Sequence, residues 1–286
     1  MANLKEIRSR ISSVSSTMQI TSAMKMVSAA KLKKAQDAIT AMRPYADKLT
    51  ELLQSLSATL DADSGSKFAD QRPVNKVLLV AITSNRGLCG AFNSNIIKEV
   101  NRLANSTYQG KEVHFLAIGK KANDAYKKSG KLLANKSSIF DDLTFDNVAE
   151  VAQMMMDKFS EGEFDKIEIV YNHFKNAATQ AVKTEQFLPI VPMESNSNTN
   201  LDYIFEPSKA EIVQELIPKS LKTQLYKAIR DSFASEHGAR MTAMHKATDN
   251  ATELRNQLKL TYNKARQAAI TNEILEIVGG AEALNG

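Results

Sequence analysis

The sequence predicts an α/β domain set between two very long helices that wind together as an antiparallel coiled coil. Three observations carry that prediction. A heptad-like apolar frame runs through roughly the first sixty residues. Buried-strand patterns alternate with helical patterns through the middle of the chain. From Pro207 the pattern turns helical again and stays so almost to the end.

In the first segment, Leu4, Ile7, Ile11, Val14 and Met18 follow three-four spacing, with Asn3 and Glu6 placed as a capping box. The same frame resumes at Leu32, Ala35, Ile39, Met42, Ala46, Leu49, Leu53, Leu56 and Leu60. Between the two runs it holds Thr21, Lys25 and Ser28, so the seam is light there. Pro44 lacks the donor for one helical bond and predicts a bend. The Asp-, Ser- and Gly-rich stretch from Asp61 to Pro73 ends the helix.

The middle opens with KVLLVAIT (Lys76 to Thr83), a continuous apolar run suited to a strand covered on both faces. A helix is expected from Asn93 to Leu103, a second strand at Val113 to Gly119, a helix from Asp146 to Phe159 and a third strand at Lys166 to Tyr171. Further strands are expected at Val182 to Leu188 and Leu201 to Phe205. The alternation favours a Rossmann-like layer domain whose strands are at least partly parallel.

Ser208 with Glu211 forms a second capping box at the start of the last segment. Met241, Met244, Thr248, Ala251, Arg255, Leu258, Tyr262, Ala265 and Ala269 hold a three-four frame. Pro218 and Gly238 are weak points, and Gly279-Gly280 should loosen the end. At 1.5 Å per residue the two helices measure about 85 Å and about 115 Å. An apolar stripe on a helix that long needs a partner, and the nearest one is the other terminal helix. The expected division is a shaft of residues 1–60 and 207–286 projecting from a globular base of residues 73–206.

Charge is unevenly spread. The chain carries +5. Residues 1–43 hold eight cations (Lys5, Arg8, Arg10, Lys25, Lys31, Lys33, Lys34, Arg43) against Glu6 and Asp37. The last twenty residues hold Glu273, Glu276 and Glu282 with no Lys or Arg, beside an apolar group of Ile270, Ile274, Ile277 and Val278. A basic collar and an acidic, apolar tip suggest different partners along one long object. The single cysteine, Cys89, excludes an internal disulfide and points to a reducing compartment. No run of about 18 apolar residues is present, and the N-terminus lacks a signal-peptide core. His114, His173, His237 and His245 lack metal-ligand spacing, so no metal is expected. The segment TSNRGLCG follows a strand, yet it lacks the Lys-Ser/Thr pair of a Walker loop and the three-glycine spacing of a dinucleotide site.

Three segments closely resemble the gamma-subunit family of rotary ATP synthases: IRSRISSVSSTMQITSAMKMVSAAKLKK (Ile7 to Lys34), TSNRGLCGAFN (Thr83 to Asn93), and SEHGARMTAMHKATDNATELRNQLKLTYNKARQAAITNEILEIVGGA (Ser235 to Ala281). The resemblance implies a non-catalytic rotor shaft within a hexamer of alpha and beta subunits. Its foot would meet the epsilon subunit and a proton-driven c-ring, and its turning would drive ATP synthesis or hydrolysis in the beta subunits. It implies no catalytic residue, no cofactor, and a peripheral place on the cytoplasmic face of a bacterial inner membrane, held there only through the complex. Stator contacts would fall on Arg8, Arg10, Met24, Lys25, Lys31, Lys33, Lys34, Arg86, Cys89, Arg266, Gln267 and Thr271. Ile270, Ile274, Ile277 and Val278 would form a bearing tip, and Tyr203 would contact the c-ring. Asn85 departs from the family, where an acid often stands.

The plainer readings stay beside these. Met24 also suits an ordinary core position, the four tip residues also continue a coiled-coil seam, and any single Lys of the collar also suits a solvated helix face. A basic coiled coil that binds nucleic acid, or acts as a scaffold, is the competing function. The basic helix fits it, but stacking aromatics and a basic-region dimer pattern are missing.

Overall fold

The computed structural model describes residues 4–57, 67–68, 70–190 and 209–285. Helix α1 spans Leu4–Ser57 and helix α5 spans Lys209–Asn285. Between them lie strands β1 (Lys76–Ile82), β2 (Glu112–Ile118), β3 (Leu132–Asn135), β4 (Lys166–Phe174) and β5 (Gln180–Leu188), with helices α2 (Phe92–Arg102), α3 (Lys120–Tyr126) and α4 (Phe145–Ser160). The expected strand at Leu201 to Phe205 and the caps at Asn3 and Ser208 fall outside the described residues.

The helices tolerate their expected weak points. Helix α1 runs on through Pro44, and α5 through Pro218, Gly238 and Gly279-Gly280. One missing donor, or a glycine at about 1 kcal/mol relative to alanine, weakens a long helix without ending it.

The chain separates into two compact units, one of Met1–Ser28 with Met241–Gly286 and one of Ala29–Arg240. In the first unit the two helices are antiparallel: Thr21 meets Thr248, and Thr252 reaches Met18. Ile7, Thr21 and Ser28 of α1, with Met244 and Ala251 of α5, are buried. The heptad frame therefore passes unbroken through the stretch where it looked light, but with hydroxyls in place of methyls. Ser28 Oγ donates to the Met24 carbonyl and Thr248 Oγ1 to that of Met244, both at 2.8 Å. Such bonds to the preceding turn let a hydroxyl enter a seam without an unmet donor.

The second unit is built on a five-stranded sheet ordered β3-β2-β1-β4-β5. The β1 pairs with β2 and β4 are parallel, as is β2 with β3, while β5 lies antiparallel on β4. Every residue of β1 after Lys76 is buried, as a central strand covered on both faces requires. Leu78, Val80 and Ile82 point to one layer, where α4 and the Ile217 to Ile229 stretch of α5 pack. Val77, Leu79 and Ala81 point to the other, where Ile96 and Val100 of α2 and Ala122 and Tyr126 of α3 pack. The sequence reading missed α3 and β3. Both are short, and β3 is a half-buried edge strand with only three apolar residues in a row.

Gly119 joins β2 to α3 at φ 110°, and a Cβ there would lie 2.1 Å from the Thr83 carbonyl oxygen. The Thr83 hydroxyl accepts from Ala122 N at 2.8 Å and so tends the start of α3. That close approach sets the end of β2 against the end of β1, where the candidate site lies.

Candidate functional site

The segment Thr83 to Asn93 leaves the carboxyl end of β1, at the point in the strand order where a doubly wound sheet commonly leaves a ligand crevice. Here the chain's own side chains occupy the space. Ser84 Oγ donates to the Arg86 carbonyl at 2.5 Å, and Asn93 Nδ2 donates to Ser84 Oγ at 2.8 Å and to Cys89 Sγ at 3.2 Å. Asn85 donates to the Ser137 carbonyl at 3.0 Å while its oxygen accepts from Lys120 N at 2.9 Å. An ionised aspartate at position 85 could accept but not donate. The departure from the family pattern thus serves a local bond.

Helix α5 closes the crevice. Ser235 Oγ donates to the Asn172 carbonyl at 2.9 Å, and Arg240 donates to the carbonyls of Arg86 at 3.2 Å and Gly87 at 3.3 Å. The same guanidinium holds Glu236 at 2.6 Å. Burial raises the Glu236 pKa, against the pull of Arg240, Lys31 and Arg86. Burial, followed by the charges of Arg240 and Lys31, lowers His237 to about 4. His237 is therefore neutral at ordinary pH. Its Nδ1 faces Arg240 at 3.5 Å, and its buried Nε2 has no hydrogen-bond partner among the described residues.

The expected contact residues on this loop divide. Cys89 is only 1% exposed, and burial pushes its thiol up. As a correction to the sequence reading, Cys89 is an interior residue with no side-chain surface to offer. The exposed positions are Arg86, Gly87, Leu88, Gly90 and Ala91. Leu88 is 67% exposed at φ 61°, a conformation that costs a branched side chain about 1 kcal/mol.

On α1, Arg8, Arg10, Lys31, Lys33 and Lys34 are exposed, whereas Met24 and Lys25 are half-buried. Lys25 occupies a position of the seam frame, which explains its partial cover. Arg10 pairs with Glu6 and Lys33 with Asp37, each at 2.9 Å and on the open surface. Such pairs contribute about 0.5 kcal/mol or less and exchange readily. Ile20, Met26 and Val27 on α1 are 57–64% exposed. Sequence reasoning left these apolar positions off the frame without assigning them a surface.

On α5, Arg266, Gln267 and Thr271 are exposed, and Thr271 Oγ1 donates to the Gln267 carbonyl at 3.0 Å. Ile270, Ile274, Ile277 and Val278 are 49–67% exposed. They are not covered within the described chain, so the seam does not continue through them. Tyr203 lies outside the described residues. The sequence reading also missed Asn93, Asn172, Glu236, His237 and Arg240 as a set. The Glu236–Arg240 spacing was legible as a helical ion pair, but its burial depends on which face of α5 meets the sheet. Among the described residues no cluster of His, Cys, Asp or Glu could hold a metal, and no helix is long and apolar enough to cross a membrane.

An antiparallel helix pair with exposed apolar side chains, continuous in sequence with a Rossmann-type domain whose crevice is filled, defines a class of α/β proteins with paired terminal helices. The model of the ATP synthase family matches residues 3–284. An ATP synthase gamma chain of Flavobacterium psychrophilum is 76% identical over 287 residues, covering 100% of both chains. Another, of Cytophaga hutchinsonii, is 53% identical over 294 residues with the same coverage. Among solved structures, the chain resembles one from the central stalk and c-ring of Tetrahymena thermophila mitochondrial ATP synthase. The TM-score is 0.59 and the identity 25%, covering 80% of this chain and 99% of that one. The rotor of Euglena gracilis mitochondrial ATP synthase shares the fold, with a TM-score of 0.68 at 23% identity over 93% of this chain and 98% of that one. The chain belongs to the ATP synthase gamma-chain family, the central stalk of the rotary enzyme. None of these relationships supports the nucleic-acid-binding alternative.

Proposed function

We propose that the chain is the non-catalytic rotor shaft of a bacterial ATP synthase, transmitting torque between a proton-driven c-ring and the catalytic beta subunits. The observation that carries this reading is the exposed end of α5, where Ile270, Ile274, Ile277 and Val278 stand uncovered beside Glu273 and Glu276. An apolar surface without fixed ion pairs offers contact that slides, whereas a desolvated charge pair would lock one angle. The exposed collar of Arg8, Arg10, Lys31, Lys33 and Lys34 gives weak, exchangeable attraction to acidic loops of the surrounding hexamer. Arg86 and Leu88, Met24 and Lys25, and Arg266, Gln267 and Thr271 complete the stator-facing set.

The shaft comprises residues 1–60 and 207–286 and the foot residues 73–206, with the foot meeting the epsilon subunit and, through Tyr203, the c-ring. The non-catalytic reading is supported by the crevice after β1, where Arg240, Asn93 and Ser84 are bonded to groups of the chain's own loop. The c-ring named for the Tetrahymena structure supports the partner reading. The complex would hold the chain peripherally on the cytoplasmic face of the inner membrane, and binding of nucleic acid is not part of the role.

The test is reconstitution of the full chain with its alpha and beta subunits, compared with a chain ending at Ala269. The shaft reading expects co-purification of the full chain and weaker coupling or assembly for the shortened one. Full coupling without the last seventeen residues would remove the bearing, and failure of the full chain to co-purify would remove the shaft.

A further inference from the structure

We propose that a lysine cluster at the amino-terminal edge of β2 and β3 docks on an anionic phospholipid surface. The inference deepens the reading of the chain as a membrane-peripheral subunit. Its parts are two glycine turns brought side by side by the parallel pairing of β2 and β3. One is Gln109-Gly110-Lys111, with Gly110 at φ 79°, and the other is Lys127-Lys128-Ser129-Gly130-Lys131, with Gly130 at φ 69°. Phe115 N donates to the Lys131 carbonyl at 2.9 Å, and Phe115 stacks on Tyr126 at 4.2 Å, which fixes the turns together. Lys111 and Lys131 line one open cleft of about 360 Å³ with Asn105, Tyr108 and Gln109. The cleft's rear wall includes residues of a short π-helical turn, Leu103–Thr107, at the end of α2.

The charge here is uncompensated. Lys111, Lys128 and Lys131 are exposed and have no ion-pair partner among the described residues. Lys127 pairs with Asp124 at 3.1 Å, and the acid nearest Lys111 in sequence, Glu112, lies 3.7 Å from His114 Nε2. The same edge of the sheet is neutralised further along. At β4, Lys166 pairs with Glu168 at 3.0 Å and Lys158 with Glu163 at 2.6 Å, while Asp165 accepts from the main chain of Asn75 and Lys76. Among the described residues, Lys111, Lys128 and Lys131 therefore leave unpaired positive charge on the β2–β3 half of this edge.

The chemistry favours headgroups over an acidic protein. All four cations are lysines, which act as mobile point charges. A docking site for fixed carboxylates draws on the planar fork of arginine. No bulky apolar side chain stands exposed among them, so the surface would rest on headgroups without entering the acyl layer. Each lysine near an anionic membrane adds about a fivefold gain in partitioning, lost as salt rises.

The experiment uses the full chain in a Cys89→Ser background, with an environment-sensitive fluorophore at Gln109→Cys or, separately, at Ala30→Cys beside the α1 collar. Phosphatidylcholine vesicles with and without phosphatidylglycerol are the probe, at low and physiological salt, with inorganic phosphate as a separate arm. The expected result is a salt-sensitive response at position 109 to the anionic vesicles only. It should weaken roughly a hundredfold in Lys111→Gln/Lys128→Gln/Lys131→Gln and persist in Lys31→Gln/Lys33→Gln/Lys34→Gln. A response confined to position 30, an equal response to phosphate alone, or a triple variant that binds as well as its parent overturns the proposal. Co-purification with alpha and beta subunits is measured separately. A chain that assembles but ignores vesicles fails here without touching the shaft reading.

Discussion

The guanidinium of Arg240 donates to the main-chain carbonyl of Arg86 at 3.2 Å, tying helix α5 to the loop that leaves the central strand. The same group neutralises Glu236, which is buried beside it. One side chain thus anchors the loop and satisfies an interior carboxylate.

Replacing Arg240 by alanine leaves Glu236 buried without its cation and should cost about 3–5 kcal/mol of stability in chemical denaturation. Adding Glu236→Gln to Arg240→Ala should return part of that loss. A single variant as stable as the parent would show that the pair is dispensable.

Acid should weaken the second unit through His237. Its folded pKa, about 4, lies below the usual value near 6.5. Between those values the unfolded chain takes up a proton that the folded one refuses. Stability is therefore full above about pH 6.5 and falls as pH drops toward 4, by roughly 3 kcal/mol at most. His237→Phe should flatten that window in a pH series of denaturation midpoints. Glu236 has the opposite sign. Its raised folded pKa gives a contribution present at low pH and lost as pH rises through it, so Glu236→Gln should remove that loss on the alkaline side.

The hydroxyl pair Thr21 and Thr248, 2.8 Å apart, sits in the seam of the first unit. Each hydroxyl also lies near a carbonyl of its own helix, that of Met18 at 3.1 Å and Met244 at 2.8 Å. Thr21→Val or Thr248→Val alone should cost about 1 kcal/mol, and the double variant less than the sum. A double-mutant cycle by thermal unfolding measures the coupling.

Gly119→Ala places a methyl group 2.1 Å from the Thr83 carbonyl at a backbone angle that alanine avoids. The clash is with main chain, so no side chain can swing away. The variant should lose at least about 3 kcal/mol, read as a lowered denaturation midpoint or as insoluble chain.

Serine at Ile270, Ile274, Ile277 and Val278 removes exposed apolar surface that nothing in the described chain covers. Each change should shift stability by less than about 0.5 kcal/mol. On the shaft reading, the combined variant should lower coupling in the reconstituted complex while its circular dichroism stays unchanged.

By itself the sequence determined the periodic features. The heptad frame from Leu4 to Leu49 follows from side chains that repeat at 3.5-residue intervals, and strands β1, β2 and β4 follow from short, nearly continuous apolar runs. The apolar character of the end of α5 was legible in the same way, whereas its exposure was not. Only the tertiary structure decided that Cys89 lies inside, that Glu236 and Arg240 form an interior pair, and that Lys111 and Lys131 share one cleft. The bond from Arg240 to the Arg86 carbonyl, between residues 154 positions apart, was decided in the same way. Periodicity tells which face of an element is apolar. Which neighbour that face meets, and which polar group is sealed beneath it, is set by the order and register of the strands.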